Sequence, residues 1–155
     1  MSVKGTVGTV DLRHDKDGNI IANSKRDRIE KEKRLAELIA SYLHRDTLLA
    51  SLLRSQTAAV HDPDNELVHL YEIRDALGKK FGGEPAARTA LGFSGAKWSR
   101  LGNLCNEEPL RQGRHRGKTG ESLRDATEGE LIEARGIALA MIEAYLQWLE
   151  VSASP

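Results

Sequence analysis

The sequence predicts an all-α protein, a bundle of about five to six helices preceded by an N-terminal β-hairpin or arm. Three observations carry this. Apolar residues recur at helical spacing from Asp27 to about Glu150. Strand-like, β-branched composition is confined to the first 25 residues. A single cysteine in 155 residues excludes an internal disulfide framework or a multi-cysteine zinc cluster. A chain of this length buries about two-thirds of its unfolded surface, so neither staple is needed.

Thr6 to Leu12 and Asn19 to Ala22 are the β-branched runs, and Asp15-Lys16-Asp17-Gly18 lies between them. Asp-Gly signals a hairpin turn because glycine accepts positive φ without penalty. Asp15, Asp17 and Asn19 open like a calcium loop, but Arg26 stands where its closing acid belongs, so they read as a turn. Two strands alone are marginal in water, so the arm (residues 1–26) is expected to dock on the body or on another subunit.

Residues 27–150 form the helical domain. In the first helix Ile29, Leu35, Leu38, Ile39, Tyr42 and Leu43 make one apolar stripe opposite a charged face. The second covers Arg45 to Val60, with Leu48, Leu49, Leu52 and Leu53 inward. Asp62 and Pro63 start the third, which carries Leu67, Leu70, Tyr71, Ala76, Leu77 and Phe81 and stops at Gly82-Gly83. Two short helices follow, Glu84 to Leu91 and a Ser94-capped Ser94 to Leu104. Asn106 to Ala126 reads as a long ordered loop, a length that in compact domains goes with function. Thr127 and Glu130 form a capping box for the last helix. Its apolar face holds Leu131, Ala134, Ala138, Met141, Ile142, Tyr145, Trp148 and Leu149. Ile132, Ile137, Leu139 and Leu146 lie off that face, which points to burial on most sides or to a homodimer through this helix. Residues 151–155 read as a frayed tail.

Equal numbers of basic and acidic residues, 23 each, exclude a globally basic nucleic-acid coat, so an anion site must be local. No run is long enough to span a membrane, and the N-terminus lacks the apolar core of a secretory signal; a cytoplasmic protein is expected. The local basic patch is Pro109 to Lys118. Arg111, Arg114, Arg116, Lys118 and His115 fall within eight positions, with no acid between Glu108 and Glu121. From Lys97 to Lys118 the Lys and Arg residues, Arg100 among them, exceed the acids by four. Arginines bind phosphate by bidentate hydrogen bonds, and histidine exchanges a proton near neutral pH. Together they suit metal-independent RNA cleavage. His115 would move the 2′-hydroxyl or leaving-group proton, while Arg111 and Arg114 would stabilise the charge on phosphorus. Arg116, Lys118, Arg100 and Lys97 would hold phosphates. A solvated basic loop, or arginines paired to neighbouring carboxylates, accounts for the same residues.

Tyr71 to Leu77, Trp98 to Gly102, Asn106 to Leu110, Gly113-Arg114-His115-Arg116-Gly117 and the final apolar helix resemble a group of uncharacterised bacterial proteins similar to the HEPN (higher eukaryotes and prokaryotes nucleotide-binding) superfamily. The resemblance spans about residues 64–150. It implies a dimeric helical bundle, no cofactor, and a metal-independent endoribonuclease of a toxin–antitoxin or phage-defence system. His115 matches the family's histidine, Arg111 is the nearest arginine and Gln112 takes the polar place. Three residues separate Arg111 from His115, one short of the family's spacing, and the last helix begins well after His115.

Ala86 to Leu101 resembles a helix-turn-helix, which would make this a DNA-binding protein that uses Lys97, Ser99 and Arg100 in the major groove. Arg88 falls where that motif packs a small residue, and two short helices joined by glycine occur in any bundle. A third reading is a non-enzymatic subunit whose basic loop docks an acidic protein partner or antitoxin. Asp62, Asp64, Asn65 and Glu66 read as a helix start rather than a cation site. Glu72 is placed to orient a histidine, His69 to pack or face solvent, Cys105 to be a buried inert thiol, and Trp98 and Trp148 to pack in the core or an interface.

Overall fold

The computed structural model describes residues 12–114 and 122–153. It is all-α apart from one short strand pair: β1 (Leu12–His14), β2 (Ile20–Asn23), α1 (Ser24–Tyr42), α2 (Thr47–His61), α3 (Glu66–Phe81), α4 (Glu84–Leu91), α5 (Gly95–Gly102) and α6 (Glu128–Ala153). The chain divides into two compact units, residues 1–41 and 42–155.

In the first unit β1 and β2 pair antiparallel, with a register irregularity between Arg13 and His14. Asp15 organises the turn. Its Oδ1 accepts from the amides of Asp17 and Asn19, each at 2.9 Å, and its Oδ2 accepts from Asn19 Nδ2 at 3.0 Å. These bonds, the Asn19 side chain foremost, hold the Asp15 carboxyl below its ordinary range. Gly18 closes the turn at φ 86°, where a Cβ would be strained. The hairpin therefore forms at the expected turn, but its first strand is Leu12–His14; Thr6 to Val10 lies outside the described residues. Helix α1 starts at Ser24, three residues earlier than its apolar stripe indicates, and it falls in the same unit as the hairpin.

The second unit is built around α3 and α6. Helix α3 packs on α2, α4, α5 and α6, and α6 also contacts α2, α4 and α5. Leu49, Leu52, Leu67, Leu70, Ile73, Leu77, Leu101, Met141 and Tyr145 form the dry centre. Each helix end has a chemical reason. Asp46 caps α2, accepting from the Leu49 amide at 2.7 Å. Gly82 ends α3 at φ 87°, with its amide on Gly78 and Lys79 carbonyls. Ser94 caps α5. Thr127 and Glu130 make the expected capping box, each side chain accepting from the other's amide, at 3.1 and 2.9 Å.

Three local expectations are corrected. Pro63–Asn65 is a separate 3₁₀ turn, because the Asp62 carboxylate bonds Asn65 and His69 instead of capping a helix. Helix α5 ends at Gly102 and continues as a π-helical turn, Asn103–Glu107. Helix α6 runs to Ala153, so Val151 to Ala153 are helical rather than frayed. The off-face residues of α6 divide in two: Ile137 and Leu146 are buried, whereas Ile132 and Leu139 are 59% and 41% exposed. No described helix is long and apolar enough to cross a membrane.

Candidate nucleic-acid interface

The described start of the basic loop is held by the backbone at three places. Leu110 is fully buried and bridges to Arg124: the Arg111 amide donates to Arg124 O and the Arg124 amide to Pro109 O, both at 2.9 Å. Gln112 accepts from the Ala126 amide with its side chain (3.0 Å) and from the Val68 amide with its carbonyl (3.3 Å). The Arg114 amide donates to Cys105 O at 2.8 Å. Between these anchors Gly113 is buried so tightly that a Cβ on it would lie 2.9 Å from Cys105 O. The π-helical turn carries that carbonyl, so it sets where Arg114 emerges.

From this shared backbone the two arginines diverge. Arg111 turns to Asp125, Nη1 to Oδ2 at 3.3 Å, with both side chains more than half exposed. With Asp64, Gln112 and Leu123 they border a cavity of about 370 Å³. Arg114 instead lays its guanidinium over the Tyr71 ring, 4.3 Å from the centroid. Arg74 on α3 also stands over that ring, at 5.4 Å. The structure thus does not gather Arg111 and Arg114 into one phosphate clamp; it pairs Arg114 with Arg74.

Arg74 is fixed by several contacts. Its Nε donates to Trp98 O at 3.1 Å, its Nη1 lies 3.4 Å from Tyr71 Oη, and its Nη2 lies 3.8 Å from Glu84 Oε2. Gly102 leaves it room, since a Cβ there would sit 3.2 Å from Arg74 Nη2. Among the described residues no carboxylate pairs with Arg114. Tyr71 and Arg74 share a face of α3 through i,i+3 spacing, a signal the sequence carried. That Arg114 joins them was not legible, because it depends on the π-helical turn.

The other site residues fare differently. Arg100 makes a bidentate pair with Glu133 of α6, 2.8 and 3.1 Å, which raises its own pKa and lowers that of Glu133. Its guanidinium is therefore engaged within the bundle. Lys97 is exposed in the first turn of α5, its amide held by Ser94 Oγ. His115, Arg116 and Lys118 lie outside the described residues.

Cys105 is fully buried, and desolvation pushes its thiol up to about 12, with Arg74 and Arg114 pulling the other way. A thiol so rarely ionised is no nucleophile near neutral pH. Glu72 stands beside a histidine of its own helix. His69 has Nε2 2.9 Å from Asp62 and Nδ1 3.9 Å from Glu72, whose carboxylate also accepts from Ser55 Oγ at 3.1 Å. Glu66, buried at the start of α3, makes a bidentate pair with Arg135. Asp62 and Glu66 are thus directed at different partners rather than at one cation. In the α4–α5 pair the small residue is Gly95, whose missing side chain makes space for the Arg88 guanidinium.

The chain matches no protein-family model, no curated protein and no solved structure, so the chemistry of this site is read from its own residues.

Proposed function

We propose that the helical unit binds RNA at the face where Arg114, Tyr71 and Arg74 meet, with the rest of the basic loop extending the contact. The observation that carries the reading is two guanidinium groups over one tyrosine ring, 4.3 and 5.4 Å from its centroid, with no carboxylate paired to Arg114 among the described residues. Like charges held so close repel. A phosphate oxygen beside them relieves that repulsion and accepts charge-assisted hydrogen bonds. Arg116, Lys118 and exposed Lys97 would add backbone contacts, whereas Arg100 and Arg111 have carboxylate partners of their own.

The HEPN resemblance extends this to cleavage. His115 would transfer the proton and Arg114, in place of Arg111, would hold the developing charge, without a metal ion or cofactor. The 2′-hydroxyl it requires restricts the chemistry to RNA. On the same reading the protein acts as a homodimer in the cytoplasm, as a toxin or phage-defence component. Ile132 and Leu139 on α6 are the surface a second copy would cover.

The test is fluorescence anisotropy with single-stranded and hairpin RNA in EDTA, followed by a gel. Arg114→Ala should weaken binding about tenfold, the loss of one strong charge-assisted contact. Arg100→Ala should change it little. Affinity should fall steeply with salt. His115→Ala should bind but not cleave. Undiminished binding by Arg114→Ala removes the proposed face, and tighter, Lys97-dependent binding to duplex DNA points to the α4–α5 pair as a helix-turn-helix instead.

A further inference from the structure

Helix α1 is 19 residues long, yet Leu38 is its only buried residue. Helices in proteins draw most of their stability from an apolar face packed on something else. Exposed pairing such as Lys33 to Glu37, 4.0 Å apart, adds little. Ile29 is 51% exposed, and its neighbours at three- and four-residue spacing are Lys25, Arg26, Glu32 and Lys33. Exposed Ala36 and Ala40 continue that face. Over its whole length α1 carries six lysines and arginines against four acids.

Helix α6 has the opposite character. Exposed Ile132 and Leu139 flank Gly136, and Glu143 and Glu150 extend the same face. The helix carries five glutamates against the single Arg135, which buried Glu66 engages. A Cβ on Gly136 would meet nothing within 4 Å. Glycine inside a helix costs stability relative to alanine, and no contact among the described residues calls for it here. Its use is to let another backbone come close.

Charge separates the possible occupants of this face. Two copies of α6 laid together would set glutamates against glutamates, whereas α1 brings cations to them. The spacing also agrees. An antiparallel register with Ala40 against Gly136 brings Ala36 to Leu139, Lys33 to Glu143 and Lys25 to Glu150, since both helices rise equally per residue. Ile29 then lies over Gln147 and exposed Val151.

We propose that in the homodimer α1 of each copy lies antiparallel on the Ile132–Gly136–Leu139 face of α6 in the other. The inference rests on the homodimer of the functional reading but not on RNA binding. A two-fold axis makes the contact twice, so the exposed apolar residues of both copies are covered.

Charge reversal in trans tests it, by light scattering of the full chain. One variant carries Lys25→Glu and Lys33→Glu, the other Glu143→Lys and Glu150→Lys. Each alone should be a monomer of 17.1 kDa with the parent's helix content in circular dichroism, because like charges meet at both contacts. Their mixture should dimerise, since one contact pairs the two reversed faces and the other the two native ones. Gly136→Leu, whose side chain meets open space within one chain, should weaken the parent dimer about tenfold. A monomeric parent would overturn the exchange and the homodimer together, while RNA binding is judged separately by Arg114→Ala. A dimer kept by the Lys25→Glu, Lys33→Glu variant alone would overturn the exchange and leave the homodimer, with α6 packed on α6. Folded variants whose mixture stays monomeric would also overturn it, as would a Gly136→Leu dimer as tight as the parent's.

Discussion

At the scale of the residue, the basic loop shows how one backbone contact decides what a side chain can do. Gly113 touches the carbonyl that receives the Arg114 amide, and no side chain fits between them. Gly113→Ala should therefore cost about 1–3 kcal/mol, the range for overpacking a filled site. It should also lower RNA affinity, by moving Arg114 off Tyr71. Urea unfolding and the anisotropy assay would check the two effects separately, and an unperturbed Gly113→Ala would mean that the loop does not need this close approach. Arg100 and Arg114 make the complementary point. Both are arginines in one basic region, yet a glutamate engages one and an aromatic ring the other.

At the scale of the element, helix ends connect local chemistry to packing. Asp46 caps α2 and also accepts from Tyr145 Oη of α6, at 2.9 and 3.0 Å, so one carboxylate serves two helices. Burial, aided by Asp46, raises the Tyr145 pKa, so the phenol stays protonated and donating. Asp46→Ala removes the cap and strands the buried phenol, an expected loss of about 2–4 kcal/mol. Tyr145→Phe removes only the bond between helices. The double variant should lose less than the sum of the two, which a denaturant double-mutant cycle would show. At the start of α6, Arg124 together with the Thr127 amide holds the Glu130 carboxyl down at about 2. Because the folded value lies below the ordinary 4.5, this contribution is complete above pH 4.5 and is lost as pH falls towards 2. Glu130→Gln should be less stable than the parent at pH 7 and nearly equal to it at pH 2, followed by thermal melts in circular dichroism. A stability gap that does not change with pH would contradict this assignment.

At the scale of the whole molecule, α6 is not buried on most sides as its apolar composition suggests: it buries one stripe, Ala134 to Leu149, and leaves Ile132 and Leu139 uncovered. If a second copy covers them, light scattering should give twice 17.1 kDa for the parent chain, and Leu139→Glu should give a monomer without loss of helix. A monomeric parent would remove the dimer from the functional reading and leave each helical unit to bind RNA alone.

The sequence by itself determined the all-α class, the hairpin turn at Asp15–Gly18, the stops at Gly82 and Gly92 and the capping box at Thr127–Glu130. These are set by period, turn chemistry and short-range hydrogen bonds, all of which act within a few residues. It also marked Pro109 to Lys118 as the local basic patch. Only the tertiary structure decided which of the described cations remain without a carboxylate. The Arg100–Glu133 pair spans 33 residues, and Arg114 meets Tyr71 from 43 positions away in the chain. Charge pairing depends on distance through space, and a neutral chain with many acids and bases admits many pairings. The π-helical turn, the bridge at Leu110 and the packing of α3 select one of them, and with it the face proposed to bind RNA.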